Sequence, residues 1–118
     1  MALINFGDTP NRVTATGASP PEQVLDVGLY FGSLTLLLQL LDLKASGSSP
    51  SFVLRIETAM DPKAADWVTV DDFAALTESN TQTKKTFSGL LRYVRWNAVT
   101  LTDAVSATFI LRGVARNP

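Results

Sequence analysis

The sequence contains no cysteine and no histidine. Without cysteine there is no disulfide, no thiolate nucleophile and no thiolate metal ligand. Without histidine, the imidazole base of serine triads, a common zinc ligand and the usual proton shuttle are missing. Charge of one sign is also lacking. Ten Lys/Arg stand against eleven Asp/Glu, a net charge of −1, so nothing in the overall electrostatics calls for DNA, RNA or an anionic membrane as the main ligand. The leucine run from Leu34 to Leu43 is far short of the ~20 apolar residues of a membrane span, and Gln39 and Asp42 interrupt it. The start of the chain, MALINFGDTPNR, has no basic segment followed by a long apolar stretch and does not read as a signal peptide. No Gly-rich phosphate loop, Ser-x-x-Lys motif or dinucleotide fingerprint occurs. These absences argue against an enzyme and leave no cofactor or metal to expect.

What is present is an ordinary soluble composition, 46% apolar and 18% charged over 118 residues. That length fits one domain and suffices for a buried core without covalent staples. Residues 1–21 read as an extended N-terminal arm, punctuated by Pro10, Gly17, Pro20 and Pro21. The arm begins with an apolar tip, Ala2-Leu3-Ile4-Asn5-Phe6. A chain end is normally polar, so such a tip is expected to dock, either on its own domain or on a neighbour.

Residues 22–118 alternate between β-like segments and turns. The candidate strands are Val24–Phe31, Leu34–Ala45, Ser51–Met60, Trp67–Phe73, Gln82–Phe87, Leu91–Thr100 and Val105–Ala115. Phe52, Leu54 and Ile56 oppose Arg55 and Glu57, and Val94, Trp96 and Ala98 oppose Arg95 and Asn97. This is the period-two pattern of half-buried strands. Turn signals every 8–12 residues mark a sandwich or barrel. The leucine run is the ambiguous segment. Thr35, Gln39 and Asp42 recur at helical spacing, whereas Leu41, Leu43 and Ala45 alternate with Asp42 and Lys44 as in a strand. The turn cluster Ser46-Gly47-Ser48-Ser49-Pro50 and the alternating segment after it favour a hairpin.

Four pieces follow one another in the order "LTLLLQLLDLKASGSSPSFVLRIET", "AADWVTVDDFAAL", "TQTKKTFSGLLRYVRW" and "ATFILRGVA". Together they resemble a group of small structural proteins of tailed bacteriophages that carry a β-sandwich or jelly-roll module. The resemblance covers roughly Leu34–Ala115. The turn Asp61–Asp66 departs from the group's shorter Asp-Gly form, and the arm is not part of the pattern. The resemblance implies that the leucine run is a strand, within an all-β, single jelly-roll-like sandwich of about eight antiparallel strands. It also implies a virion protein made in the host cytoplasm and carried on the capsid surface. There it would act as a decoration (cement) protein that binds the major capsid protein and itself, as a trimer at a local three-fold. A tail or baseplate component is the alternative placement, and a carbohydrate-binding module the alternative class.

The partner-binding residues expected on this reading are Leu3, Ile4, Phe6 and Arg12 of the arm, and residues 1–12 are expected to be removable from a folded domain. Other groupings have plainer readings. Asp61, Asp66, Asp71, Asp72 and Glu78 lack calcium-loop spacing and read as solvated carboxylates. Lys84, Lys85, Arg92 and Arg95 read as strand-face charges or as one side of a charge match between copies. Trp67, Tyr93 and Trp96 could form a sugar-stacking platform, although Trp96 shares its face with Val94 and Ala98 and belongs with the core. Tyr30 and Phe31 suit either core or contact surface.

Overall fold

The structure is a computed structural model that describes residues 2–116 apart from 7–9, 21–22, 29–31 and 64. The described residues form ten strands: β1 (Ala2–Asn5), β2 (Asn11–Val13), β3 (Gly17–Ala18), β4 (Leu25–Asp26), β5 (Ser33–Ala45), β6 (Ser51–Ala59), β7 (Val68–Asp72), β8 (Thr81–Ser88), β9 (Tyr93–Thr102) and β10 (Ala104–Arg116). There is no α-helix among the described residues. The strands form two five-stranded antiparallel sheets packed as a sandwich. Sheet A has the order β1-β10-β5-β8 with β2 also on β10, and sheet B the order β3-β9-β6-β7 with β4 also on β9.

The leucine run is the central strand β5. Leu34, Leu36, Leu38 and Leu40 are fully buried, while Thr35, Leu37 and Gln39 point outward. Between Leu40, opposite Phe109, and Asp42, opposite Thr108, the register slips. Such a bulge inverts which residues face the core. Leu43 is accordingly buried, whereas Leu41 and Ala45 are exposed. The expectation that Leu41, Leu43 and Ala45 share one face is corrected at Leu41, which the extra residue separates from Leu43, a slip that alternation alone cannot reveal; Ala45 is exposed at the end of the strand.

The segment expected as an arm is part of the sandwich. β1 pairs with the C-terminal half of β10, from Ala2 opposite Ala115 to Asn5 opposite Arg112. β2 continues down β10, with Asn11 opposite Phe109. The chain then crosses to sheet B, where β3 and β4 line the free side of β9. Counting β1 with β2, and β3 with β4, as one edge strand each, the eight resulting strands run 1-8-3-6 in sheet A and 2-7-4-5 in sheet B. The two passes cover the β10 and β9 edges that would otherwise present unpaired backbone groups. A buried polar chain ties them together. Asn11 Nδ2 donates to the Phe6 carbonyl at 2.9 Å, Gln23 Nε2 to Asn11 Oδ1 at 2.7 Å, and Trp96 Nε1 to Gln23 Oε1 at 3.0 Å.

One core lies between the sheets. Phe109 meets Phe52 at 5.5 Å and Trp96 edge-on at 5.2 Å, and Phe73 meets Phe87 at 5.1 Å. Asp103 alone, at φ 50°, turns the chain from β9 in sheet B to β10 in sheet A. Its carbonyl and carboxylate accept the backbone N–H groups of Ser46, Gly47 and Ser49, which pins the β5–β6 turn to this corner. Gly113 is required by close approach, because a Cβ there would collide with the Thr35 carbonyl and Leu36 Cα on β5.

Candidate protein-interaction face

Charge is divided between the two sheets. The strands of sheet A carry Arg12, Lys44, Lys84, Lys85, Arg112 and Arg116 against one carboxylate, Asp42. Those of sheet B carry Arg55 and Arg95 against Asp26, Glu57, Asp71 and Asp72. The two outer faces also handle charge differently.

On sheet B the charges are paired within the chain. Arg55 Nε binds Asp72 Oδ1 at 2.7 Å, with Nη2 on the second oxygen. Glu57 is buried, accepting from Arg95 Nε at 2.8 Å and Asn97 Nδ2 at 3.2 Å. The Arg95 guanidinium lies 4.4 Å from the Trp67 ring centre, a cation–π contact that covers the ion pair. At the rims, Arg92 holds Asp26 at 3.1 Å and lies over Tyr93, and Lys85 reaches across from β8 to Asp71 at 2.9 Å and to the Asp72 carbonyl at 2.9 Å. The hydrogen bonds from Arg92 and Lys85 hold the Asp26 and Asp71 carboxyls below the usual carboxylate range.

On sheet A the outward cations Arg12, Lys84, Arg112 and Arg116 make no ion pair among the described residues. Arg116 Nη1 donates to Thr35 Oγ1 at 2.7 Å instead. Between these cations lie apolar side chains. The register places Leu3 beside Val114, and Leu37 between Arg112 and Lys84. Leu3, Leu37, Val114 and Arg112 line an open groove of about 420 Å³, with Ile4, Asn5 and Gly113 contributing. Leu3 is 85% exposed, the highest value among the large hydrophobic residues described. An apolar groove rimmed by cations without partners has the make-up of a contact surface.

The four partner residues expected from the sequence separate by strand parity. Leu3 and Arg12 stand on the outer face of sheet A. Ile4 and Phe6 point inward and are buried, at 7% and 2% exposure, so both side chains belong to the core, with Ile4 also contributing to the lining of the groove. β1 and β2 therefore belong to the folding unit, because removing them would strip β10 of its edge partner and open the core. Of the expected basic group, Lys85, Arg92 and Arg95 are held inside the chain, and Lys84 has no ion pair among the described residues. Among the described residues no three carboxylates converge as a cation site. The aromatic trio does not form one platform: Trp96 is buried in the core, Trp67 lies under Arg95 and Tyr93 under Arg92. Tyr30 and Phe31 lie outside the described residues. Leu37, Arg112, Val114 and Arg116 were missed in sequence. Alternation along "TFILRGVAR" places Ile110, Arg112, Val114 and Arg116 on one side of β10, but only the strand order shows that this side meets Leu37 and Leu3.

The fold thus defines a two-layer antiparallel β-sandwich with one self-neutralised and one unsatisfied outer face. The sequence matches no protein-family model and no curated protein.

Proposed function

We propose that this chain is a structural assembly protein, a capsid decoration (cement) protein of a tailed bacteriophage. It would be made in the host cytoplasm and bind the outer capsid surface through the outer face of sheet A. The observation that carries the reading is the contrast between the faces. Sheet B satisfies its charges internally, whereas sheet A presents apolar side chains among cations that nothing else in the described chain neutralises. The strand order 1-8-3-6 and 2-7-4-5 supports a jelly-roll reading of the sandwich, in line with the resemblance of Leu34–Ala115 to phage virion modules. A site built from several capsid subunits would favour the assembled shell by mass action, and several copies bound together would add avidity. No catalytic role is proposed.

The test is co-sedimentation of the purified chain with empty shells of the major capsid protein from the same phage. Saturable binding is expected, weakened by added salt and by Arg12→Glu, which lies on the face and outside the groove. Failure to sediment with shells removes the decoration reading. Binding to isolated tails instead of shells moves the protein to the tail, and retention on a glycan array favours a carbohydrate module.

A further inference from the structure

The groove beside Leu3 needs an occupant that is apolar at its tip and acidic at its flanks, and the β6–β7 turn of this same chain has that make-up. Met60 and Val68 are 69% and 58% exposed, and between them lie Asp61 and Asp66, which make no ion pair among the described residues. Lys63 is the turn's one cation. At its start, Asp61 Oδ1 accepts the Lys63 N–H at 2.9 Å and Pro62 restricts the backbone beside it. A methionine tip is unbranched and adapts to an irregular apolar groove.

A chain cannot fill its own groove in this way. The turn leaves sheet B, joining Ala59 to Val68, whereas the groove opens on the outer face of sheet A with the core between them. We propose that the groove receives the β6–β7 turn of a second copy, with Met60 against Leu3, Leu37 and Val114, and with Asp61 and Asp66 facing Arg112 and Lys84. Both halves of this contact belong to this chain, which favours a second copy over an unrelated acidic partner. The contact is heterologous: each copy offers one groove and one turn, so copies close into a ring where the rotation permits. It occupies the β1 end of the face and leaves Arg12 and the neighbouring part of β10 clear. It does not depend on shell binding.

Self-association is read by light scattering on a sizing column and by analytical ultracentrifugation, across concentration and salt, without shells. The expected result is a mass that is a multiple of the monomer's and falls as salt rises. Arg112→Glu with Lys84→Glu, and Asp61→Arg with Asp66→Arg, are each expected to weaken association about tenfold or more, since like charges across an interface are strongly unfavourable. Both reversals in one chain are expected to restore it. Met60→Asp tests the apolar tip, and all these positions are exposed, so thermal melting should stay close to the parent's. A monomer at every concentration, variants that associate like the parent, or a combined reversal that restores nothing would each overturn the contact. A monomer that still sediments with shells overturns this inference alone, and an oligomer that ignores shells overturns the decoration reading alone.

Discussion

The outer faces of sheets A and B are built from similar strands and share one core, yet they end in opposite chemical states. On sheet B, Arg55, Glu57, Asp72 and Arg95 find one another across β6, β7 and β9, and Trp67 covers the central pair. On sheet A, Arg112 lies opposite Leu37 and Asn5, Lys84 opposite Leu37, and Arg12 opposite Thr108. No cross-strand partner on that sheet offers these three a carboxylate. The difference teaches that register, more than composition, decides whether a charge contributes to folding or stays available to a partner. The chain as a whole is nearly neutral, and its cations are concentrated on one layer.

That comparison can be broken at several points. The largest effect is expected inside sheet A, between adjacent residues of β5. Leu36→Ala empties a fully buried site and should cost about 2–5 kcal/mol in denaturant unfolding. Leu37→Ala, one residue on and facing out, should cost no more than about 0.5 kcal/mol. Equal losses would mean that the outer face is packed over. Next is Glu57→Ala on sheet B, which removes two charge-assisted hydrogen bonds and leaves Arg95 half-buried without its carboxylate. A loss of about 1.5–3 kcal/mol is expected. Arg112→Ala on sheet A should stay within about 0.5 kcal/mol of the parent. If the two losses matched, the faces would not differ as described. Gln23→Ala leaves the Trp96 indole N–H and the Asn11 carbonyl oxygen without their described partner. A loss of about 1–3 kcal/mol is expected, with a shift in tryptophan emission as the second readout.

The smallest effect concerns acid. Asp26 and Asp71 have lowered pKa values in the folded chain, so their contribution is present above the ordinary carboxylate range. It is lost as pH falls through their lower folded values, because the unfolded chain takes up protons first. Melting temperature should therefore decline modestly below about pH 4. Lys85→Ala with Arg92→Ala should flatten that decline. An unchanged acid profile in the double variant would show that these rim pairs contribute nothing.

Much of this was legible in sequence. Alternation in Ser51–Met60 and Leu91–Thr100 gave the inward faces of β6 and β9, and Trp96 was placed in the core from its neighbours Val94 and Ala98. The leucine run was open between helix and strand because its first half satisfies both periods. Its bulge at Leu41–Asp42 could not be seen, since one extra residue in a strand leaves no mark on composition. The apolar tip Ala2–Phe6 reads as a docking segment, but alternate residues take opposite roles there. Ile4 and Phe6 fill the core, and Leu3 faces out.

The sequence by itself determined the all-β class, the turn positions and the absence of thiol and imidazole chemistry, because those depend on local periodicity and residue type. Only the tertiary structure decided that β1 with β2 and β3 with β4 serve as two edge passes, that three of the four cations in Lys84–Arg95 are spent on internal pairs, and that Leu3, Leu37, Arg112 and Val114 share one groove. These are relations between strands far apart in the chain. A period-two pattern reports which side of its own strand a residue occupies, but not which strand lies beside it.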